Sequence, residues 1–396
     1  MKKKENSLIK FINFLKILMI KMDYFNSFVS EIRTFRDKDL PKLISKLRKN
    51  IDDFRFLEKI IKVKEVNEDV SKEWELIAID GGCDLTKLEG IAFAIATAQS
   101  FTLSSTSKLQ NEEQRKLKLF PLDPKGDLRL TTSLKMKTQE IDIAISALES
   151  SRSNKILIFF DGSFSFPDTS IGNTNYQDLT ESYREYVKTI TNFFDLIVKK
   201  SSQKIIIPIA IAKDVRAAKY FTNLYENKKF QEINNLTLDE IKKIHLLLEH
   251  EGWKERAIIQ AIMRENKEKC DKVQFLIPLI IKSNNKAMHG DYLCQYLSEN
   301  KVFGSYFLYP KARKSFYFEF PSTFEKYFDE ILSLLIFVCR VSPVLGYPFP
   351  LVYVDKLTRL SKDLSSKMFT QLIIEVKKAP NYVKELISEQ LREDLH

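Results

Sequence analysis

Two stretches of this chain close an apolar run with a carboxylate followed by glycine. Ile156–Phe160 leads into Asp161, Gly162 and Ser163, and Leu76–Ile79 leads into Asp80, Gly81 and Gly82. An unbroken apolar run bounded by a turn signal reads as a strand buried on both faces. Each stretch therefore delivers an aspartate at the carboxyl end of an interior strand. Laid side by side, the two strands converge two carboxylates, and like charges held that close are costly unless a cation lies between them. Asp-Gly alone is an ordinary turn dipeptide; its repetition in one context is what points to a site. Glu140 is the third candidate ligand: it falls mid-helix, beside the Ile141/Ala144 face, in the helix that precedes the second of these strands. A helix glutamate chosen at random is solvated, but this one belongs to a helix that must cross the sheet near its carboxyl end. Oxygen ligands of this kind suit Mg²⁺ or Mn²⁺. Such ions hydrolyse phosphodiesters by acidifying a water and stabilising the leaving oxygen. The four histidines, His245, His250, His289 and His396, lie in a charged insertion, a loop and the terminus, and no Ser-His-Asp or Cys-His set competes.

The elements that must position these groups follow from periodicity. Residues 7–63 carry apolar residues at helical spacing and read as a helical N-terminal extension. The sheet begins at Trp74–Asp80, turns at Gly81-Gly82, and continues through Leu88–Ser104 and Arg115–Pro121 as an antiparallel meander. Thr131–Ser150 is a helix, Lys155–Asp161 the central strand, Tyr176–Lys200 a second helix. Lys204–Ala212 is a further buried strand, whose Pro208 argues for an outer position. The order β-β-β-α-β-α-β predicts an α/β fold with a ribonuclease H-like core: an antiparallel meander plus parallel strands, with helices on both faces. Tyr220–Lys282 reads as a Lys/Glu-rich helical insertion with a Thr237/Glu240 capping box. Its helix pair carries mixed charge and no recognition-helix signature. Ser305–Leu308 and Ser315–Phe320 form a hairpin or two edge strands; Phe324–Arg340 and Val352–Val376 are helices. The expected organisation is a helical extension over 1–72, a nuclease-type domain over 73–378 with a helical insertion at about 220–285, and a tail over 379–396.

Composition bounds the function class. The chain has 396 residues, 44% of them hydrophobic, and a net charge of +10, which favours a polyanionic partner, nucleic acid before membrane. Its four cysteines form no C-x-x-C pair, which fits a reducing cytoplasm and no structural zinc. Asn13, Lys16 and Lys21 interrupt the apolar start, so it reads as an amphipathic helix rather than a cleavable leader. No stretch is apolar for long enough to span a membrane as a helix.

Taken in order, these pieces resemble the NurA family of nucleases. The resemblance covers roughly Ile77 to Ile374. It is carried by Ala78-Ile79-Asp80-Gly81, Glu140, Phe160-Asp161-Gly162-Ser163, Ile211-Ala212-Lys213-Asp214-Val215-Arg216, Gly290-Asp291, Glu319-Phe320-Pro321 and Gly346-Tyr347-Pro348-Phe349-Pro350-Leu351. It implies a homodimer that cleaves single- and double-stranded DNA at ends with Mn²⁺ (or Mg²⁺). The family activity is that of a 5′-3′ exonuclease and single-strand endonuclease, working in end resection with a hexameric HerA-type ATPase. The family's metal ligands map onto Asp80, Glu140 and Asp161, and its basic residues near the scissile phosphate onto Lys213 and Arg216. Two departures stand out: Asp355 replaces a histidine on the last large helix, and aromatic residues around Tyr317-Phe318 replace an arginine. Asp355 lies at the edge of the Leu351/Val354/Leu357 stripe and is the candidate fourth ligand; the bland alternative is a solvent-facing pair with Lys356 or Arg359. Two other classes of function remain: a catalytically weak or inactive DNA-binding dimeric subunit of a translocase complex, and a ribonuclease H-like enzyme acting on RNA or hybrids.

Overall fold

In the computed structural model the chain divides into two compact units, Met1–Leu57 and Glu58–His396. The structure describes residues 29–42, 45, 52–66, 73–88, 91–104, 113–164, 177–213, 219–249, 255–265, 269, 271–281, 301–359 and 362–376. The first unit is helical over 29–42, with one widened turn at Phe35–Asp39. The segment Leu8–Leu18, the Gly290-Asp291 pair, Arg216 and the tail lie outside the described residues.

The second unit is organised on one ten-stranded sheet. Its strands are β1 (Ile61–Lys64), β2 (Trp74–Leu88), β3 (Ile91–Ser104), β4 (Glu113–Leu122), β5 (Lys155–Asp161), β6 (Ile205–Ala212), β7 (Val273–Leu276), β8 (Leu279–Ile281), β9 (Val302–Leu308) and β10 (Phe316–Pro321). The spatial order is β1-β7-β9-β10-β6-β5-β2-β3-β4, with β8 paired to β9. The five strands β4-β3-β2-β5-β6 are the expected core: β2 to β4 form an antiparallel meander, and β5 and β6 add in parallel. The antiparallel strands β10, β9, β7 and β1 extend that core past β6.

β5 is interior because its neighbours bury both faces; Ile156, Leu157, Ile158 and Phe159 are wholly enclosed. Helices α1 (Leu128–Ser150) and α2 (Gln177–Lys200) pack on one face. There Leu134, Ile141, Ala144 and Leu148 of α1 and Ile190, Phe193, Phe194 and Ile197 of α2 meet Ile77, Ile79, Ile156, Ile158 and Phe160. The α1 helix starts where Asp127 accepts a hydrogen bond from the Leu130 N–H, a side-chain N-cap. The insertion supplies α3 (Lys219–Glu226), α4 (Lys228–Ile233), α5 (Leu238–Glu249) and α6 (Glu255–Glu265). Its capping box is formed: Thr237 N–H donates to Glu240 Oε2 at 2.7 Å and Glu240 N–H to Thr237 Oγ1 at 3.3 Å. The chain then adds α7 (Phe328–Arg340), α8 (Phe349–Thr358) and α9 (Lys362–Val376).

Four expectations are corrected. β2 does not turn at Gly81-Gly82 but runs on to Leu88, paired with β3 throughout; the two glycines serve close packing instead. β6 is not an outer strand. Pro208 is tolerated because pairing with β10 spans only Ala210–Ala212, so that flank carries no ladder bond at the proline. Ile61–Lys64 and Val273–Ile281, expected to be helical, contribute strands that pair at the far edge, where β-branched residues gain from cross-strand burial. The region expected as one helix over Val352–Val376 is two, α8 and α9. On β4, Phe120 and Leu122 are buried against Leu128 and Met136 of α1, while Leu117 and Leu119 on the other face are exposed.

Candidate active site

The parallel pairing of β2 and β5 puts Ile79 opposite Phe160, so Asp80 and Asp161 emerge one residue later on adjacent strands. Opposite residues share a face, and side chains alternate along a strand. Asp80 and Gly82 therefore point to one side of β2 and Gly81 to the other. On Gly81's side lies α1: a Cβ built on Gly81 would stand 2.6 Å from Glu140 Oε1 and 2.8 Å from Met136 Cγ. On Gly82's side lies the end of α8, and a Cβ there would collide with the Thr358 carbonyl. The glycine pair thus lets a helix carboxylate approach from one face and a helix terminus from the other, at the strand position where Asp80 emerges.

Each carboxylate has definite partners. Asp80 Oδ1 accepts from the Gly81 N–H at 2.9 Å, and its Oδ2 lies 3.3 Å from the Thr358 hydroxyl. Thr97 Oγ1 lies 3.1 Å from the Thr358 carbonyl, which ties the end of α8 to β3. Lys137 donates to Glu140 Oε2 at 2.8 Å and to the Asp161 carbonyl at 2.9 Å. Asp161 Oδ2 accepts from Lys213 at 2.9 Å and its Oδ1 lies 3.2 Å from the Tyr347 hydroxyl. Lys213 Nζ also stands 4.8 Å from the centre of the Tyr347 ring, and the Arg256 guanidinium donates to the Lys213 carbonyl.

The turn that carries Asp161 is fixed from below. Gly162 adopts φ +121°, a region a side chain would strain, and its N–H donates to the Ile211 carbonyl at 2.8 Å. Glu319 on β10, 1% exposed, accepts from the Ser163 hydroxyl at 2.7 Å and the Phe164 N–H at 2.8 Å, with Lys219 3.5 Å away. Glu319 is thus a strut that holds the β5 exit.

Electrostatics register the crowding. Burial, then repulsion by Glu140 and Asp161, pushes the Asp80 carboxyl up to about 7. Burial also raises Glu140, against the pull of the Lys137 ammonium. Burial disfavours the charge on Lys137, yet the Glu140 carboxylate beside it holds the ammonium above its ordinary range. Burial and the neighbouring Asp161 raise the Tyr347 phenol.

The structure therefore brings Asp80, Glu140, Asp161 and Lys213 into one electrostatic cluster. Asp355 is placed differently. Leu351, Val354 and Thr358 are the buried face of α8, and Asp355, one step round the helix, accepts from Arg359 at 2.7 Å. Its described side-chain partner is that Arg359 guanidinium, on the exposed flank of the helix. The helix residue that reaches Asp80 is Thr358, one turn past Val354. Sequence reasoning passed over Thr358, Lys137 and Tyr347. Lys137 had a signal in its i, i+3 spacing from Glu140, and Tyr347 in the quoted Gly-Tyr-Pro motif. Thr358 had none.

Among the described residues no three acidic, histidine or cysteine side chains converge closely enough to hold an ion as they stand; two lysines supply the compensating charge. The donor set nonetheless fits a hard divalent cation. Its ligands are carboxylates, Glu140 Oε1 is buried with no hydrogen-bond partner, and burial first, with the neighbouring carboxylates second, raises Asp80 and Glu140, a cost that a bound cation offsets.

A family model described as the NurA domain matches residues 75–360. The NurA nuclease from Sulfolobus solfataricus superposes with a TM-score of 0.57 at 14% sequence identity, covering 88% of this chain and 98% of that one. A second NurA crystal structure gives a TM-score of 0.54 at 11% identity, covering 85% and 98%. Among curated proteins none matches the sequence.

Proposed function

Because the chain belongs to the NurA domain family, a family of nucleases, we propose that it is a divalent-metal-dependent deoxyribonuclease that hydrolyses phosphodiester bonds at DNA ends. The observation that carries this reading is the carboxylate cluster formed by Asp80 in the middle of β2, Asp161 at the carboxyl end of β5 and Glu140 of α1, whose Oε1 is buried with no hydrogen-bond partner. Asp80, Glu140 and Asp161 hold the ion, Mn²⁺ or Mg²⁺, through hard oxygen donors. When bound, the ion supplies Lewis acidity, acidifying water and neutralising charge that develops on a phosphodiester.

This chain's own residues do the remainder. Lys213, half-exposed and 2.9 Å from Asp161, presents a cation to a phosphate approaching the β5 exit, and Arg216 three residues on extends the basic segment. Lys137 holds Glu140 and the Asp161 backbone in a fixed relation, and Thr358 and the Gly81 N–H fix the Asp80 rotamer. The Tyr347 hydroxyl, kept protonated by burial, orients Asp161. The net charge of +10 supplies long-range attraction for the polyanion.

The wider reading is a homodimer acting as a 5′-3′ exonuclease and single-strand endonuclease in end resection, docked on a hexameric HerA-type ATPase in the cytoplasm. Among the described residues no helix is long and apolar enough to cross a membrane. Domain limits at 73–378, with helical flanks, are part of the same proposal. The test is incubation of the full chain with end-labelled single- and double-stranded DNA plus Mn²⁺, Mg²⁺ or EDTA, with Asp161→Asn as control. Metal-dependent cleavage that the variant loses is expected; equal cleavage by the folded variant, or none by wild type while DNA is still bound, would favour the inactive DNA-binding subunit.

A further inference from the structure

Strand β10 runs antiparallel to β6, with Tyr317 opposite Ala212. The turn that leads from β9 into it, residues 309–315, therefore lies at the same end of the sheet as Lys213 and the Asp161 exit of β5. Across the sheet β10 stands two strands from β5, roughly 10 Å at the usual spacing. The turn carries Lys311, Arg313 and Lys314 and no acidic residue. All three cations are exposed, and none is ion-paired among the described residues.

Basic residues on a surface turn are ordinarily solvated and need no ligand. This turn differs in how firmly its backbone is held. Arg256, Gln260 and Arg264 recur every four residues along α6 and share one face of it. Arg264 donates to the Ala312 carbonyl at 2.7 Å; Gln260 donates to the Arg313 carbonyl at 3.1 Å and accepts from the Ser315 N–H at 2.9 Å. Arg256, on the same stripe, donates to the Lys213 carbonyl. The helix thus sets Lys213 and the basic turn a fixed distance apart, about 12 Å at the usual rise from Arg256 to Arg264. A second brace comes from the segment before α8. The Arg313 N–H donates to the Val344 carbonyl at 2.9 Å, and Gly346 sits where a Cβ would collide with Ala312. The next residue is Tyr347, whose hydroxyl lies 3.2 Å from Asp161. Lys311 adopts φ +64°, a left-handed conformation that costs free energy in a residue with a side chain.

Three like charges held together on a braced, strained backbone repel one another, and a polyanion removes that cost. The ligand that fits carries negative charges in series, so that one end lies at Lys213 and the Asp161 exit while another lies on the turn. A sugar-phosphate backbone has that form, and ammonium and guanidinium groups bind its oxygens without reading its bases. We infer that the β9–β10 turn is a phosphate-binding surface along which a DNA strand runs from the carboxylate cluster, held by Lys311, Arg313 and Lys314. The identity of the polyanion rests on the deoxyribonuclease reading above. The helical insertion then has a role in DNA binding, since α6 fixes both ends of this basic track.

The experiment uses the full chain in EDTA, so that it does not depend on cleavage. Binding of labelled oligo-dT and of a blunt duplex is measured by anisotropy at several salt concentrations. The variant Lys311→Ala/Arg313→Ala/Lys314→Ala is compared with Lys62→Ala/Lys228→Ala/Lys229→Ala, which removes the same charge from exposed residues of β1 and α4. The turn variant should bind oligo-dT at least about tenfold more weakly at low salt, and its slope of log affinity against log salt should be shallower by about 2. The control should keep the wild-type slope. Lys311→Gly removes one charge and the strain together, so it should melt no lower than wild type and still bind DNA more weakly. A loss on either substrate supports the surface, and the substrate that shows it is the form that runs over the turn. Wild-type affinity in the turn variant and in Lys311→Gly, or equal weakening by the control, would overturn the inference while leaving the nuclease reading in place. Wild type that binds neither substrate at low salt would remove both together.

Discussion

Replacing Asp80 by Asn should make the metal-free protein more stable, and only at neutral to alkaline pH. Asp80 is 7% exposed, and its carboxyl is raised from 3.8 to about 7 by burial and by its two carboxylate neighbours. Between those values the unfolded chain has released the proton and the folded chain still holds it. The folded state binds more protons, so stability falls as pH rises through this window. Below about pH 4 both states are protonated and nothing is lost. Above about pH 7 the loss is complete, at most roughly 4 kcal/mol for a shift of this size. Asparagine keeps the geometry: its oxygen accepts from the Gly81 N–H, and its amide faces a Thr358 hydroxyl that can accept as well as donate. Urea denaturation in EDTA at pH 4 and pH 8 reads the difference directly. The variant should match wild type at pH 4 and exceed it by about 2–4 kcal/mol at pH 8, and Mn²⁺ should stabilise wild type more than the variant. An Asp80→Asn variant less stable than wild type at pH 8, or equally stabilised at both pH values, would refute the account of Asp80 as a charge held against its neighbours.

Gly81→Ala should cost more than an ordinary exposed strand substitution. Its Cβ would stand 2.6 Å from Glu140 Oε1, so about 1–3 kcal/mol of stability and most of the cleavage rate should be lost, measured by denaturation and labelled-DNA cleavage. Glu319→Gln should destabilise by about 1–3 kcal/mol, because its oxygen can still accept from Ser163 and Phe164 but its amide then faces the Lys219 ammonium, which loses its charge partner; circular dichroism melts check this, and an unchanged melt would remove the strut. Lys213→Ala and Arg216→Ala should weaken DNA binding without sequence selectivity and flatten the salt dependence; anisotropy titrations at several salt concentrations would detect the contrary. Thr358→Val should raise the Mn²⁺ concentration needed for half-maximal cleavage several-fold while Asp355→Ala leaves it unchanged, since Thr358 touches Asp80 and Asp355 is paired with Arg359. The opposite ranking in metal titrations would assign the ligand role to Asp355 instead.

The features legible in the chain before folding are those written in local patterns. The apolar runs ending at Asp80 and Asp161 specified two interior strands, because runs of unbroken apolar residues must be buried on both sides. The order of elements then specified a ribonuclease H-like sheet with the two aspartates on adjacent strands; in the structure Asp161 stands at the end of its strand and Asp80 within a longer one. The capping box at Thr237 and Glu240 and the helical phase of α1 and α2 were legible for the same reason: hydrogen bonds and periodicity over three or four residues are encoded within those residues. The remaining features depend on neighbours far apart in the chain. Gly81 and Gly82 looked like a turn, and nothing local distinguishes a turn glycine from one that admits Glu140 on one face and the end of α8 on the other. Pro208 looked like an edge marker, and only the short span over which β10 pairs with β6 shows why a central strand tolerates it. Asp355 and Thr358 lie three residues apart on one helix, about 60° apart around its axis. Which of them meets Asp80 depends on the roll of α8 against β2 and β3. That roll is set by burial of Leu351 and Val354 together with the contact at Gly82, so it is fixed by packing between elements and not by the sequence of either one.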